Sequence, residues 1–465
     1  MKLPIFVDSW RKLDKKVKSR FLSFVESPYF NKNTNLLEAL KVIDADGQQQ
    51  LDKECLSERL FPKMIFDDSK VRYILSDLNT LLKEFLLIEF DERTAIEKDL
   101  SLTQLLAKLD LDRLHNKEWA KLSSNFHDTS SSSLISPHTK YKYYFEAQEQ
   151  LTIKSRKEYK HLVEATHQLS THFISERLKL ACLQIGPGSD MKNEKSDALL
   201  QLIVAQISAG NFTDSPNVII YFYAYQMLLN NNDTYYFKVS DWLETNAKLL
   251  PIKEVEDIYL LGINFCIARI NTGNRDYMKH AFDLYKSGLS SKVFLKDGYL
   301  SIHNYKNILR LGLTQKAYEW TESFLHEFKE WLPKEDAENT FTYNLAHFHF
   351  QKKDYEEAMQ LLREVKFKDV YNNLDSRRML LRIYYEMEEW SALDSHLDSF
   401  QSFTMRQKNI GYHKAANLNL VKITRLMMKK FPLSAKSRMQ IRKRIENAAH
   451  LAEKDWVVKT SGVSL

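Results

Sequence analysis

Two arginines four residues apart are the first feature of this sequence that could do chemistry. If Arg378 and Arg382 lie on one helix, they stand one turn apart and can present two guanidinium groups to one carboxylate-bearing segment. Such a pair would bind an anionic peptide. The alternative is that both arginines form ion pairs with acids on neighbouring helices, and the sequence leaves both interpretations open.

A second group of cations lies in a strongly basic stretch. From residue 401 onward the sequence has 14 basic and three acidic residues. A helix is predicted over 436–456, with an apolar stripe of Ile441, Ile445, Ala448 and Ala452. Its first half carries a basic patch, which consists of Arg438, Arg442, Lys443 and Arg444. One interpretation is the polar outer face of a capping helix, and the other is a site for RNA, DNA or an anionic membrane surface.

Spacings typical of catalysis or metal binding are otherwise missing from the sequence. It contains no GxxxxGK[ST], GxGxxG, GxSxG or HExxH motif. His347 and His349 are two residues apart, so on a helix they point in different directions and cannot share a metal. Cys55, Cys182 and Cys266 are far apart, which favours buried free thiols. We therefore expect a protein that is not an enzyme and uses no metal and no cofactor.

The composition predicts that helices position these residues. Glycine occurs 11 times and proline nine times in 465 residues, too few for the turns of a large β or α/β fold. Hydrophobic residues make up 44% of the chain, which is enough for a sizeable core. The longest apolar stretch, 218–229, is too short to span a bilayer, and the first residues lack a secretory pattern. The expected location is the cytoplasm.

A helical N-terminal domain is predicted over 1–127. Its clearest element is a helix over 69–88, where apolar residues recur every three or four positions and Asp67 or Asp68 can cap the first turn. We expect this helix to pack against helices at 10–25 and 35–42. A serine-rich linker, 128–137, separates this domain from the rest of the chain.

Beyond the linker, the sequence predicts a long helix over 138–190, either single or as two nearly continuous pieces. It has neither glycine nor proline between 138 and 185. Five apolar residues recur at close to heptad spacing, namely Leu162, Leu169, Phe173, Leu180 and Leu183. Helical repeats are predicted over 191–433, and a basic capping helix with a tail over 434–465.

The repeats are the most informative pattern in the sequence. An aromatic residue or alanine marks the start of each second helix, at Phe237, Tyr277, Ala317, Tyr355 and Trp390. These markers are 35 to 40 residues apart. Repetition at this period is typical of α-solenoids, in which antiparallel helix pairs bury their apolar faces by stacking on neighbours. The predicted fold class is therefore all-α, a solenoid of helix pairs preceded by a small helical domain.

The best-formed unit, at 341–369, resembles a tetratricopeptide repeat. Leu345 and Ala346 on its first helix, the turn at Asp354-Tyr355 and Ala358 on its second helix fall at the spacing of that family. The unit at 376–400 resembles the family more loosely. The whole chain, including Ser-Pro-Tyr-Phe-Asn at 27–31, also resembles helical-repeat proteins of Bacteroidota, which implies a bacterial source and no particular activity.

The resemblance implies a binding groove, because the first helices of tetratricopeptide units line a concave surface. The residues that it places in this groove are Arg269, Asn344, His347, Arg378, Arg382 and Tyr385. We therefore expect a non-enzymatic scaffold that binds a protein segment there. The alternative is a nucleic-acid-binding regulator, in which the helices at 53–61 and 69–88 form a helix-turn-helix-like pair and the repeats act as a sensor.

Overall fold

The computed structural model describes residues 4–45, 53–62, 66–128, 135–154, 159–185, 197–296, 298–366 and 369–463. Within these residues the protein has 23 α-helices, two short 3-10 helices and one two-stranded antiparallel sheet. Helices adjacent in sequence pack side by side along the chain. The predicted all-α fold class is confirmed. In the described part of the chain, no helix has both the length and the apolarity needed to cross a bilayer.

The chain divides into two compact units, Met1–Ser131 and Ser132–Leu465. The helices of the first unit are α1 (Ile5–Lys12), α2 (Lys15–Glu26), α3 (Thr34–Ala45), α4 (Lys53–Leu60), α5 (Asp68–Glu89), α6 (Ala95–Lys108) and α7 (Asp112–His127). The serines of the predicted linker, 130–133, lie outside the described residues.

Helix α5 is the centre of the first unit, as its apolar spacing predicts. The Asp67 side chain accepts hydrogen bonds from the backbone N–H groups of Ser69 and Lys70 and so caps the helix. Its buried face packs with α1 to α4 in one apolar core. The single helix predicted over 10–25 is wrong, because Asp14 caps a new helix there by accepting a 2.8 Å hydrogen bond from the Val17 N–H.

The second unit continues the pattern of neighbouring helices. Its first helices are α8 (Pro137–Lys154), α9 (Lys160–Gln184), α10 (Ala198–Ser208), α11 (Pro216–Leu229), α12 (Asp233–Asn246), α13 (Ile252–Asn271) and α14 (Tyr277–Ser290). A short hairpin of β1 (Leu295–Lys296) and β2 (Tyr299–Leu300) follows. The remaining helices are α15 (Ile302–Thr314), α16 (Tyr318–Glu327), α17 (Ala337–Lys352), α18 (Tyr355–Glu364), α19 (Val370–Glu386), α20 (Trp390–Arg406), α21 (Tyr412–Lys429), α22 (Ala435–Glu446) and α23 (Lys454–Ser461). The 3-10 helices are Ala247–Leu249 and Phe328–Trp331.

Of the two alternatives predicted over 138–190, the single helix is wrong: the region forms two helices, α8 and α9, which lie antiparallel against each other. The ring centroids of His138 and His172 are 4.8 Å apart, and those of Tyr144 and His161 are 6.1 Å apart. This arrangement buries Tyr143 and Ala147 of α8 together with the polar side chains of Thr139, Glu146 and Gln148. Residues 186–190 of the predicted stretch lie outside the described residues.

The near-heptad stripe of α9 faces solvent. Leu169, Phe173 and Leu180 are between 46 and 49% exposed. The opposite face, which includes Leu178 and Cys182, is buried in the core that it shares with α11. Smaller residues on that face let the neighbouring helices approach closely. Heptad spacing alone does not reveal which stripe of a helix is buried.

The repeat markers coincide with most of the observed helix starts. Tyr277, Tyr355 and Trp390 are the first residues of α14, α18 and α20, and Ala317 immediately precedes α16. Phe237 lies inside α12, which begins at Asp233. These helices pair with their predecessors as hairpins, and the predicted pattern of helix pairs is confirmed.

The two buried cysteines are inert structural thiols. All three cysteines are free, and Cys55 is only partly buried. Burial raises the pKa of Cys182 and of Cys266 to about 12. Both thiols are therefore protonated at neutral pH. A nucleophile or a metal ligand would have to be a thiolate instead.

The single helix predicted over 436–456 is wrong. Helix α22 ends at Glu446, and helical structure resumes only at Lys454. Between them the chain turns back onto α21, where the Ala452 N–H donates to the Ala416 carbonyl at 3.2 Å and the Asn419 amide donates to the His450 carbonyl at 2.8 Å. These tertiary bonds replace intrahelical ones. We call residues 448–463 the returning segment.

Candidate functional site

Helix α19 carries the two arginines whose spacing suggested a carboxylate site. The helix begins after Asp369, whose side chain accepts hydrogen bonds from the backbone N–H groups of Tyr371 and Asn372. Because four residues nearly complete a helical turn, Arg378 and Arg382 project from one face. Tyr385 and Glu386 follow on the same face. We call the surface formed by Arg378, Arg382, Tyr385 and Glu386 the arginine groove.

Both arginines of the groove bind one carboxylate, that of Glu453 in the returning segment. The Arg382 Nη1 donates to Glu453 Oε2 at 2.9 Å, and Arg378 Nε lies 3.3 Å from Glu453 Oε1. The Arg378, Arg382 and Glu453 side chains are between 19 and 25% exposed, so water screens this ion pair less than one on the open surface. The two predicted guanidinium groups therefore do converge on a single anion.

A second acid, Asp375, holds Arg378 in place from its other side. The Arg378 Nη2 donates to Asp375 Oδ1 at 2.6 Å, and the Tyr343 hydroxyl donates to Oδ2 at 2.5 Å. Burial would raise the pKa of the Asp375 carboxyl, but His347, which is protonated at the low pH where Asp375 titrates, together with Arg378, the Tyr343 hydroxyl and Arg310, outweighs burial and lowers the pKa to about 2. Asp375 is thus ionised at neutral pH and orients the Arg378 guanidinium. The sequence left two interpretations open for the arginines, binding of one carboxylate by both and separate ion pairs with acids. The structure contains both kinds of contact.

Asn344 and His347 lie on α17, and the structure gives them little open surface. Asn344 is 2% exposed and donates to the Thr340 carbonyl at 2.7 Å. Its Oδ1 and the His347 Nδ1 are buried and accept no hydrogen bond in the described part of the chain. Burial lowers the pKa of His347 to about 4, so the imidazole is neutral at pH 7. Asn344 is thus held within α17, and His347 lies near Asp375 of α19, the acid that pairs with Arg378.

Tyr385 and Glu386 hold the tryptophan of the returning segment. The Trp456 Nε1 donates to Glu386 Oε1 at 2.8 Å, and the Glu386 carboxylate also accepts from the Tyr355 hydroxyl. Tyr385 meets the Trp456 ring edge to face at a centroid distance of 5.5 Å. The Arg382 guanidinium lies 5.7 Å from the same ring. The indole is therefore fixed by both its N–H group and its ring.

Arg269 belongs to a different structural junction. It donates to the Asn231 carbonyl at 2.6 Å and pairs with Asp233 at the start of α12. Its guanidinium lies over the rings of Phe265 and Tyr277, at 5.3 and 5.8 Å. These contacts tie α12, α13 and α14 together, so the structure places Arg269 at a hairpin junction, apart from the contacts of the arginine groove.

An open cavity of about 840 Å³ borders the arginine groove. Aromatic and charged residues line it, including Phe350, Tyr355, Arg382, Glu386 and Trp456. The returning segment lines one side of this cavity and does not fill it. A smaller cavity of about 220 Å³ borders the first half of α17 and is lined in part by Lys306, Tyr343 and Asn344.

The basic patch remains exposed at the surface of α22. Arg438, Arg442, Lys443 and Arg444 are all exposed, whereas Ile441 and Ile445 are buried, as the stripe predicts. Arg442 pairs with Glu446 one turn later, with Nε 2.8 Å from Oε1. The predicted stripe residues Ala448 and Ala452 lie beyond the end of the helix.

The sequence alone did not identify the residues that complete the groove. Asp375 and Glu386 lie on α19 together with the arginines, whereas Glu453 and Trp456 come from the returning segment, and no local spacing links these two stretches of the chain. One signal was available for Glu453, since it is one of only three acidic residues after position 400. An isolated acid in a basic region is a candidate for a specific ion pair.

No protein-family model and no curated protein sequence matches this chain. The resemblance to tetratricopeptide repeats therefore stays a prediction, while the helix pairs themselves are observed. Any functional conclusion rests on the geometry of the site.

Proposed function

We propose that this protein is a non-enzymatic interaction scaffold that binds a protein segment in the arginine groove. The observation that carries the proposal is the convergence of Arg378 and Arg382 on one carboxylate, that of Glu453, in a segment that is distant in sequence. A surface that already holds a carboxylate and an indole has the chemistry needed to bind a peptide. Helix pairs stacked as a rigid framework supply the preorganised surface that such binding requires.

The polarity of the groove supports peptide binding over catalysis. Its charged groups are paired: Arg378 with Asp375, and Arg382 with Glu453. Paired charges are stabilised in one protonation state, which suits recognition, whereas acid–base catalysis needs a group poised to exchange a proton near neutral pH. The low pKa of Asp375, about 2, fits this interpretation.

A nucleic-acid-binding regulator is the second candidate, and the exposed basic patch is the observation that favours it. Arg438, Lys443 and Arg444 have no ion pair within the described residues. Four exposed cations on one short helix can contact phosphates. The helix-turn-helix-like pair exists as α4 and α5, but α5 uses its apolar stripe to hold the core of the first unit.

One experiment separates the two candidates. The tagged full chain is purified from its native cell with and without nuclease, and the Arg382→Ala chain is compared with the Arg442→Ala chain. We expect a protein partner that survives nuclease and is lost only from the Arg382→Ala chain. Loss on nuclease treatment would favour nucleic-acid binding. Equal loss from both variants would indicate nonspecific electrostatic attraction and contradict the proposal.

A further inference from the structure

The returning segment packs Trp456 and Val457 into an apolar core of the second unit, and it also makes polar contacts of the kind that a bound peptide makes. Its backbone is anchored to α21 by the bond from the Ala452 N–H to the Ala416 carbonyl, at 3.2 Å. Its carboxylate, Glu453, lies between the two groove arginines. Its indole, Trp456, donates to Glu386. Backbone, charge and aromatic contacts together are the usual components of peptide recognition in a groove.

The backbone at Glu453 indicates that side-chain contacts determine this placement. Glu453 has φ of 51°, a left-handed conformation that is unfavourable for a residue other than glycine. It stands at the N-cap of α23, and its side chain makes no capping hydrogen bond. The carboxylate instead points to Arg378 and Arg382. The arginine contacts therefore hold a backbone conformation that local preferences disfavour.

The segment also reaches a hairpin far away in the sequence. Asp455 lies 3.4 Å from Arg275, which precedes α14, although both side chains are largely exposed. The segment thus contacts helices from position 275 to position 419 within the second unit. At the same time it leaves the adjoining cavity of about 840 Å³ open. The groove is larger than its present occupant, so a longer segment could make further contacts there.

The surrounding charge favours an acidic ligand. Outside the returning segment, the charged residues that line the cavity are the cations Lys353 and Arg382 and the acid Glu386, whereas Glu453 and Asp455 are balanced by Lys454 and Lys459 within the segment. A partner segment that carried more acid than the returning segment would gain attraction from these cations.

Resting on the proposed function, we propose that the returning segment is an intramolecular competitor for the arginine groove. The partner segment has the same chemistry: a carboxylate at the start of a helical turn and a tryptophan three residues later. The partner displaces Glu453 and Trp456 and takes over their contacts with Arg378, Arg382 and Glu386. Because a tethered segment has a high effective concentration, it weakens the apparent affinity for any partner until it is released.

The proposal is tested with the full chain and a fluorescent peptide that has the sequence of residues 449–461. Fluorescence anisotropy should show that the Glu453→Ala chain binds this peptide at least about tenfold more tightly than the unchanged chain, because its own segment has lost both arginine contacts. The Glu446→Ala chain loses the same charge from an exposed residue and should bind like the unchanged chain. Equal affinity of the Glu453→Ala and unchanged chains would overturn the proposal, as would no binding to either.

Peptide variants test the proposed chemistry. Replacing the glutamate that corresponds to Glu453 by glutamine, or the tryptophan that corresponds to Trp456 by alanine, should each weaken binding by about tenfold. Replacing the lysine that corresponds to Lys454 by alanine should leave the affinity within about twofold. If all these peptides bind equally well, the groove does not recognise the acid and the indole, and the proposal is wrong. Should the Glu453→Ala chain fail to fold, the Glu453→Gln chain, which keeps the side-chain shape, replaces it in the comparison.

The outcome can be separated from that of the proposed function. A partner that depends on Arg382 and is displaced by the peptide supports both proposals. A partner that depends on Arg382 but is not displaced by saturating peptide overturns the competitor inference and leaves the scaffold function intact. A partner that is bound equally by the Arg382→Ala chain overturns the proposed function itself.

Discussion

The Arg382 guanidinium donates a 2.9 Å hydrogen bond to the Glu453 carboxylate, which lies 71 residues later in the chain. Arg378, one helical turn earlier, pairs with the same carboxylate and with Asp375. This ion pair joins α19 to the returning segment, whose Trp456 and Val457 also pack with Leu381 and Tyr385 in one apolar core. The arginines therefore help to hold the fold together at the same surface that we propose for partner binding.

Removing Arg378 should destabilise the protein. The Arg378→Ala change leaves Asp375, whose side chain is 15% exposed, and Glu453 without their shared cation. We expect a loss of about 2–4 kcal/mol in the free energy of unfolding, measured by urea denaturation. From sequence alone, the expectation is that the groove arginines are exposed and can be removed with little loss.

The matched control for this loss is Arg442→Ala. Arg442 is 52% exposed and pairs with Glu446 on its own helix, so its removal should cost less than about 1 kcal/mol. If the two variants unfold at the same urea concentration, the Arg378 ion pairs do not stabilise the fold.

The tight crossing of α17 and α18 should not tolerate a large side chain. Ala358 and Ala346 are both fully buried, one on each helix of this hairpin. Ala358→Phe forces overpacking, and we expect a loss of about 1–3 kcal/mol or more, seen as a lower melting temperature. Glu357→Phe places the same side chain on the exposed face and should change stability little. An unchanged melting temperature for Ala358→Phe would mean that the hairpin packs differently.

Gly312 marks another close approach, between α15 and α16. A Cβ atom at this position would lie 2.4 Å from the Thr321 Oγ1, which is fully buried. We expect Gly312→Ala to lower the free energy of unfolding by about 1–3 kcal/mol, although alanine favours helix by about 1 kcal/mol. At Gly262 the added atom would lie 3.1 Å from the terminal Cδ1 of Leu284, a milder conflict that the helix preference of alanine can offset, so Gly262→Ala should be nearly neutral. Equal effects in thermal unfolding would contradict the observed packing.

Acid should destabilise the second unit through His347. Burial lowers the pKa of His347 to about 4, so between pH 6.5 and 4 the unfolded chain binds a proton that the folded chain does not. The free energy of unfolding should fall by up to about 3 kcal/mol as the pH is lowered through this window. Burial also lowers the pKa of His396, so this histidine adds to the dependence of the free energy of unfolding on pH.

Replacing His347 by glutamine removes its share of this pH dependence. The His347→Gln chain should show a flatter fall between pH 6.5 and 4 in urea denaturation. His303→Gln, which changes an exposed histidine, should keep the slope of the unchanged chain. A His347→Gln chain with the full slope would show that His347 is not buried in its neutral form.

Local sequence patterns predicted many of the helices but not the contacts between residues that are distant in sequence. The apolar spacing of α5 and the markers Tyr277, Tyr355 and Trp390 depend only on residues within a few turns, so the sequence revealed them. The pairing of α19 with the returning segment depends on Glu453, 71 residues beyond Arg382, and no periodicity encodes that distance. Likewise, the near-heptad stripe of α9 is real but faces solvent, because burial depends on which face the neighbouring helices reach.

Hydrogen exchange of the returning segment tests the central claim most directly. Amide exchange of residues 449–461 is compared in the unchanged chain and in the Arg378→Ala/Arg382→Ala chain, with α5 of the first unit as the internal reference. If the arginine groove holds this segment, its exchange should become at least about tenfold faster in the variant, while exchange in α5 stays the same. Identical protection of the segment in both chains would contradict the account.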